Sequence, residues 1–206
     1  MKPAFFAIFA AVLLCGESAS FARQSPNARQ SPNSPRVDIA ALHARAARGS
    51  VRAQNNLGFM YAAGRGVRKN HAEAVRWFRM AAERGNALAQ NNLGFAYAQG
   101  EGVRKDDAEA VRWYRKGAGQ GSAPAQNGLG FMYAAGRGVE RNYVEAGKWF
   151  LLAAGQRQES AERNYARLQR FLTPVEREDV ERMARVFRPG AGRDKRLKAA
   201  PRSARR

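Results

Sequence analysis

Hydrophobic positions along this chain fall into three regimes. Residues 4–14 form one unbroken apolar run of 11 residues. From about residue 37 to 187, apolar residues recur at helical spacing, with glycine, asparagine and charged residues between the runs. Segments 23–36 and 188–206 carry almost no large apolar residue.

Within the periodic region, Ala53, Leu57, Met60 and Tyr61 stand at i, i+4, i+7 and i+8, which predicts a helix over 51–63. Gly64 can end that helix in the left-handed conformation. Gly66 permits a further turn, and Val67 can tuck back as an apolar anchor. Asn70 is placed to cap a second helix, with Glu73 three residues on completing a capping box. That helix presents Ala74, Trp77, Phe78 and Ala81 on one side.

The whole pattern recurs with a period of 36 residues. Ala53, Ala89 and Ala125 correspond, as do Leu57-Gly58, Leu93-Gly94 and Leu129-Gly130, and then Tyr61, Tyr97 and Tyr133. Gly64-x-Gly66-Val67 returns as Gly100-x-Gly102-Val103 and Gly136-x-Gly138-Val139. Trp77, Trp113 and Trp149 are each followed by an aromatic residue, and Asp106 with Glu109 and Asn142 with Glu145 repeat the cap. Full repeats therefore run 51–86, 87–122 and 123–158, each a helix–loop–helix that buries one face on its neighbour. Ile39 to Gly49 reads as a lone second helix, with Leu42 where Phe78 sits. Residues 161–172 read as a modified first helix with Tyr165, Leu168 and Leu172 on one stripe. Thr173-Pro174-x-Glu176 opens a last helix to about 187, packing Val180, Met183 and Phe187 and sealing the stack.

The pattern A-x-x-x-L-G-x-x-Y-x-x-G-x-G-V, followed by Trp-aromatic and a pair of small residues, resembles the Sel-1-like repeat, a relative of the tetratricopeptide repeat. Three full copies cover 51–157, and partial copies extend the domain to 37–187. The resemblance implies an all-α, right-handed α-α superhelix that serves as an adaptor or scaffold for protein complexes. Arg157 departs from the pattern, standing where earlier copies have Gly85 and Gly121, so the last junction is expected to bend differently. Cysteine-rich relatives have been linked to penicillin binding and β-lactam hydrolysis. Their regularly spaced cysteine pairs are missing here, and that activity is not carried over.

By analogy with tetratricopeptide geometry, the first helices line a concave groove. Asn55, Asn91 and Asn127 then face the groove, with Phe59, Phe95 and Phe131 one turn further along. Asparagine can donate to and accept from an extended peptide backbone, and phenylalanine adds apolar contact area. The alternative is that the phenylalanines fill inter-repeat packing. The three tryptophans read as core by their neighbours and spacing. The Gly-x-Gly-Val loops follow no strand and do not read as phosphate cradles.

Charge changes the picture. Lysine and arginine number 36 against 17 acids, a net charge of +19 and a pI near 11.3. Such a balance favours anionic partners. The repeats 51–158 hold 16 bases and 8 acids, and segment 159–187 is balanced. The tail 188–206 reads as disordered, with Arg193, Lys195, Arg196, Lys198, Arg202, Arg205 and Arg206 as a polyanion-binding set. It holds no aromatic residues of the kind that single-stranded nucleic acid stacks on.

The remaining chemistry is sparse. Cys15 is the sole cysteine, so no internal disulfide can form. His43 and His71 are the only histidines, and both are expected to be solvated surface groups. No nucleophile–base–orienter set stands out, so no enzyme activity, cofactor or metal is expected. Lys2, the apolar run and Ser20-Phe21-Ala22 read as a secretory signal over 1–22, cleaved after Ala22. The rival is a lipoprotein signal at Cys15, for which Leu14 is a poor preceding residue. Residues 23–36, with a duplicated Ala-Arg-Gln-Ser-Pro-Asn, read as a disordered linker. The expectation is a monomeric, non-enzymatic scaffold of the periplasm or the secreted fraction, binding a protein or peptide in its groove. The alternative is an envelope protein that holds anionic polysaccharide, lipid or nucleic acid through its basic tail and surface.

Overall fold

Each first helix starts at a polar cap, stops at a left-handed glycine, and is followed by a second helix with its own polar cap. The computed structural model describes residues 38–189. Over that span the elements are α1 (Ile39–Ala47), α2 (Val51–Ala63), α3 (His71–Glu83), α4 (Ala87–Gln99), α5 (Asp107–Gly119), α6 (Ala123–Ala135), α7 (Tyr143–Ala154), α8 (Glu159–Leu168), a 3₁₀ turn (Gln169–Phe171) and α9 (Pro174–Val186). The described residues contain no strand. From α1 to α8 each helix packs on the next, and α9 folds back onto α7. The architecture is an α-α solenoid with a half-unit at its start and a sealing helix at its end.

Caps fix the ends of these short helices. Ser50 and Asn86 accept from backbone N–H groups in the first turns of α2 and α4. Gly64, Gly100 and Gly136 end the first helices at φ of 69°, 77° and 66°. Asn70, Asp106 and Asn142 accept from the backbone N–H of Glu73, Glu109 and Glu145 at 3.1, 2.9 and 2.9 Å. The side chains of those glutamates reach Arg76, Arg112 and Lys148 instead of closing the expected boxes. The reciprocal box forms at α9. Glu176 accepts from Thr173 N–H at 2.8 Å while its own N–H donates to Thr173 Oγ1 at 3.3 Å.

The core runs the length of the stack. Leu57, Leu93 and Leu129 are fully buried, as are Phe150, Leu168 and Val180 near the sealed end. Trp77 and Trp149 are buried, and Phe187 sets its ring edge-on to Trp149 at 5.4 Å. Trp113 is half-buried, with Lys116 Nζ 4.0 Å from its ring centre. The stripe of Tyr165, Leu168 and Leu172 does not lie on one helix. α8 ends at Leu168, and the 3₁₀ turn delivers Leu172 to the core in extended conformation at 4% exposure.

Adjacent repeats are locked by loop contact. A Cβ at Gly102 would run into the carbonyl of His71, and one at Gly138 into that of Asp107. Only glycine lets each loop press onto the first turn of the preceding second helix. At the last junction Arg157 takes the left-handed backbone in place of the glycines, with φ of 62°.

Candidate functional site

Three ladders of side chains, one residue per repeat, define the surfaces. The innermost is glutamine. Gln54, Gln90 and Gln126 are buried and donate from Nε2 to the carbonyls of Ala46, Ala82 and Ala118 at 3.1, 3.0 and 3.3 Å. Each thereby adds a second donor to a carbonyl at the end of the preceding second helix, which already accepts from the N–H of Gly49, Gly85 or Gly121. Gln120 and Gln156 complete the ladder by donating to Gln90 and Gln126 at 2.6 and 2.8 Å. Arg84 occupies the matching place in the first repeat and turns to the Gly49 carbonyl, which leaves Gln54 Oε1 buried without a partner among the described residues. The signal for this ladder was glutamine at one position of all three repeats, which periodicity of apolar residues does not flag.

The second ladder is tyrosine. Arg79 and Arg115 donate to the hydroxyls of Tyr97 and Tyr133 at 2.9 and 3.0 Å. His43 stands 36 residues before Arg79, and its Nε2 lies 3.2 Å from the Tyr61 hydroxyl. His43 is half-buried, with its ring edge-on to Trp77 at 5.7 Å, so it is not the solvated group that its sequence context suggests. His71 is also half-buried, and its Nδ1 lies 3.5 Å from Glu101 on the next loop. In the following junction Asp107 and Arg137 fill the same two places with the charges reversed, and Arg137 also donates to the Ala98 carbonyl at 2.7 Å.

The third ladder is the candidate binding set on the first helices. α4 and α6 pack directly on one another, and amides of neighbouring first helices bond to each other, which puts these helices on the inner side of the curve. Asn92 donates to Asn55 at 3.2 Å, and Asn91 donates to Asn92 at 3.3 Å. Asn55, Phe59, Asn91 and Phe95 are half-buried. Asn127 and Phe131 are not: they are 4% and 5% exposed. Asn164 on α8 donates to Asn127 at 3.0 Å, so in the last unit the chain itself covers the amide. Gly128 stands where the earlier repeats have Asn56 and Asn92, and the Tyr114 ring lies 2.7 Å from where its Cβ would be. Arg65 and Arg137 sit over Phe59 and Phe131, 5.3 and 5.9 Å from the ring centres. The tail set Arg193, Lys195, Arg196, Lys198, Arg202, Arg205 and Arg206 lies outside the described residues, as do Cys15 and the segments 1–22 and 23–36.

Two-helix units stacked through their own faces, with an inner surface of half-buried amides and aromatics, define a helical-repeat scaffold. Its relatives agree. The Sel1 repeat model matches residues 51–86, 87–122 and 123–157. The chain belongs to the Sel1 repeat family, whose repeats mediate protein–protein contact and form a non-enzymatic scaffold. No curated relative matches it. Among solved structures it is similar to c5321, a protective antigen of uropathogenic Escherichia coli with an SLR fold. That match has 37% identity and a TM-score of 0.68 over 82% of this chain. The chain spans 38% of the length of that protein. It is also similar to a Sel1 repeat protein from Oxalobacter formigenes, at 41% identity and a TM-score of 0.56, over 63% of this chain and 97% of the other.

Proposed function

We propose that this protein is an exported bacterial scaffold that holds a protein or peptide partner against the inner face of its first helices. The observation that carries this reading is the half-buried run of Asn55, Phe59, Asn91 and Phe95, with hydrogen-bonding capacity and aromatic area left toward solvent. The bond from Asn92 engages the Asn55 oxygen and leaves its amide nitrogen able to donate to a peptide backbone. Export is supported by the apolar run Ala4–Leu14 and the small residues at 20 and 22. The groove serves one partner per chain, and the protein acts as a monomer.

Affinity capture from the envelope extract tests the reading. The mature chain retains its partner at moderate salt, and the variant with Asn55 and Asn91 both replaced by alanine loses it. Capture that persists in that variant overturns the groove assignment. The net charge of +19 supports a second reading, in which the basic surface and tail hold an anionic polymer. Under that reading capture falls steeply between low and moderate salt and disappears on deleting 188–206.

A further inference from the structure

The groove is not uniform, and the difference selects a ligand. Residues 38–99 carry nine Lys/Arg against three Asp/Glu, whereas 100–189 carry sixteen against twelve. The amides in the basic half form a directed relay from Asn91 through Asn92 to Asn55. That direction leaves the Asn55 amide nitrogen as the terminal donor, since its carbonyl oxygen is already engaged. One turn earlier on the same stripe Arg52 is exposed and makes no ion pair among the described residues. Beside this donor pair stand the half-buried rings of Phe59, with Arg65 over it, and Phe95, and Leu88 on the helix of Phe95 is 53% exposed. The third repeat offers none of this: Asn127 accepts from Asn164 as Asn55 does from Asn92 but is itself buried, Phe131 is buried, and Tyr114 fills the space beside Gly128.

Resting on the groove reading above, we infer that the binding site is confined to α2 and α4 and takes an extended polypeptide segment in which an aspartate or glutamate lies beside an apolar residue. The carboxylate accepts from Asn55 and pairs with Arg52. The apolar side chain lies on Phe59 and Phe95. A charge-assisted bond of this kind is about twice as strong as a neutral one, and the carboxylate is therefore the discriminating group.

The probe is a blocked pentapeptide of alternating aspartate and leucine, titrated into the isotopically labelled full-length mature chain and followed residue by residue by NMR. Its partner probe replaces each aspartate by asparagine. Expected are shifts of the Asn55, Asn91 and Asn92 side-chain amides, no shifts across 123–135, and affinity about tenfold weaker for the asparagine peptide. Arg52→Glu should weaken the aspartate peptide by at least as much, while Arg163→Glu, an exposed change beside the closed third unit, leaves it unchanged. Equal binding of both peptides on α2 and α4 overturns the acidic preference and leaves the groove reading standing. Shifts that extend to α6, or that appear only in the tail, overturn the inference. So does the absence of binding by either peptide at millimolar concentration. The groove reading itself fails only if partner capture survives loss of the asparagines.

Discussion

The first and third repeats share a sequence pattern and differ in what lies beyond them. Asn55 and Asn127 occupy one position of the repeat, as do Phe59 and Phe131. The first pair is half-buried, and the second is buried, Asn127 against Asn164 of α8 and Phe131 in the core cluster with Arg137 over its ring. A repeat position therefore has no fixed role. Its role is set by whether the next unit continues the groove or closes it.

The two repeats should differ most at their phenylalanines. Phe131→Ala should cost about 3–5 kcal/mol by thermal or chemical unfolding, because a buried ring leaves a cavity. Phe59→Ala should cost less than half as much, and equal losses would erase the distinction between the two repeats. The amides come next. Asn164→Ala leaves Asn127 buried without its donor and should cost about 1–3 kcal/mol. Asn92→Ala, on the open half, should cost under about 1 kcal/mol and show itself in binding. A smaller effect of opposite sign is expected at the junction that follows the third repeat. Arg157→Gly removes a left-handed strain but loosens the unfolded chain, for a net gain of about 0.5–1 kcal/mol in melting experiments.

The smallest effect is electrostatic and lies at the sealed end. The backbone N–H of Thr173, and then its hydroxyl, hold the carboxyl of Glu176 below its ordinary pKa. A depressed folded-state pKa contributes stability above the unfolded value, and that contribution fades as pH falls through the carboxylate range. Glu176→Gln should therefore lower stability in the neutral region and leave the acid end of the profile almost unchanged, which flattens the acid limb between them.

Most of the fold was legible because one pattern was printed three times. The period located the glycine stops at 64, 100 and 136 and the caps Asn70, Asp106 and Asn142, but not the caps Asp38 and Asn86. What stayed hidden depends on residues far apart in sequence. Glu73, Glu109 and Glu145 were expected to close capping boxes, but a cation three residues later competes for each of them. His43 was read as a surface group because its partner Tyr61 lies 18 residues away on another helix. The groove was legible as a stripe of asparagine and phenylalanine. Its closure over the third repeat was not, because that needs Asn164 and the Tyr114 ring beside Gly128.

The glutamine ladder has a consequence for how such a chain can change its length. Gln90 takes its backbone partner from the preceding unit and its side-chain partner from its own. A unit cut at 87 and 122 is thus a cassette whose two faces match the faces of its neighbours. Duplicating it in tandem should give a longer stack in which the glutamines of the added unit keep both partners. The same insertion placed after residue 158 would meet Arg157 and the closing helices, and there the chain has written its own stop.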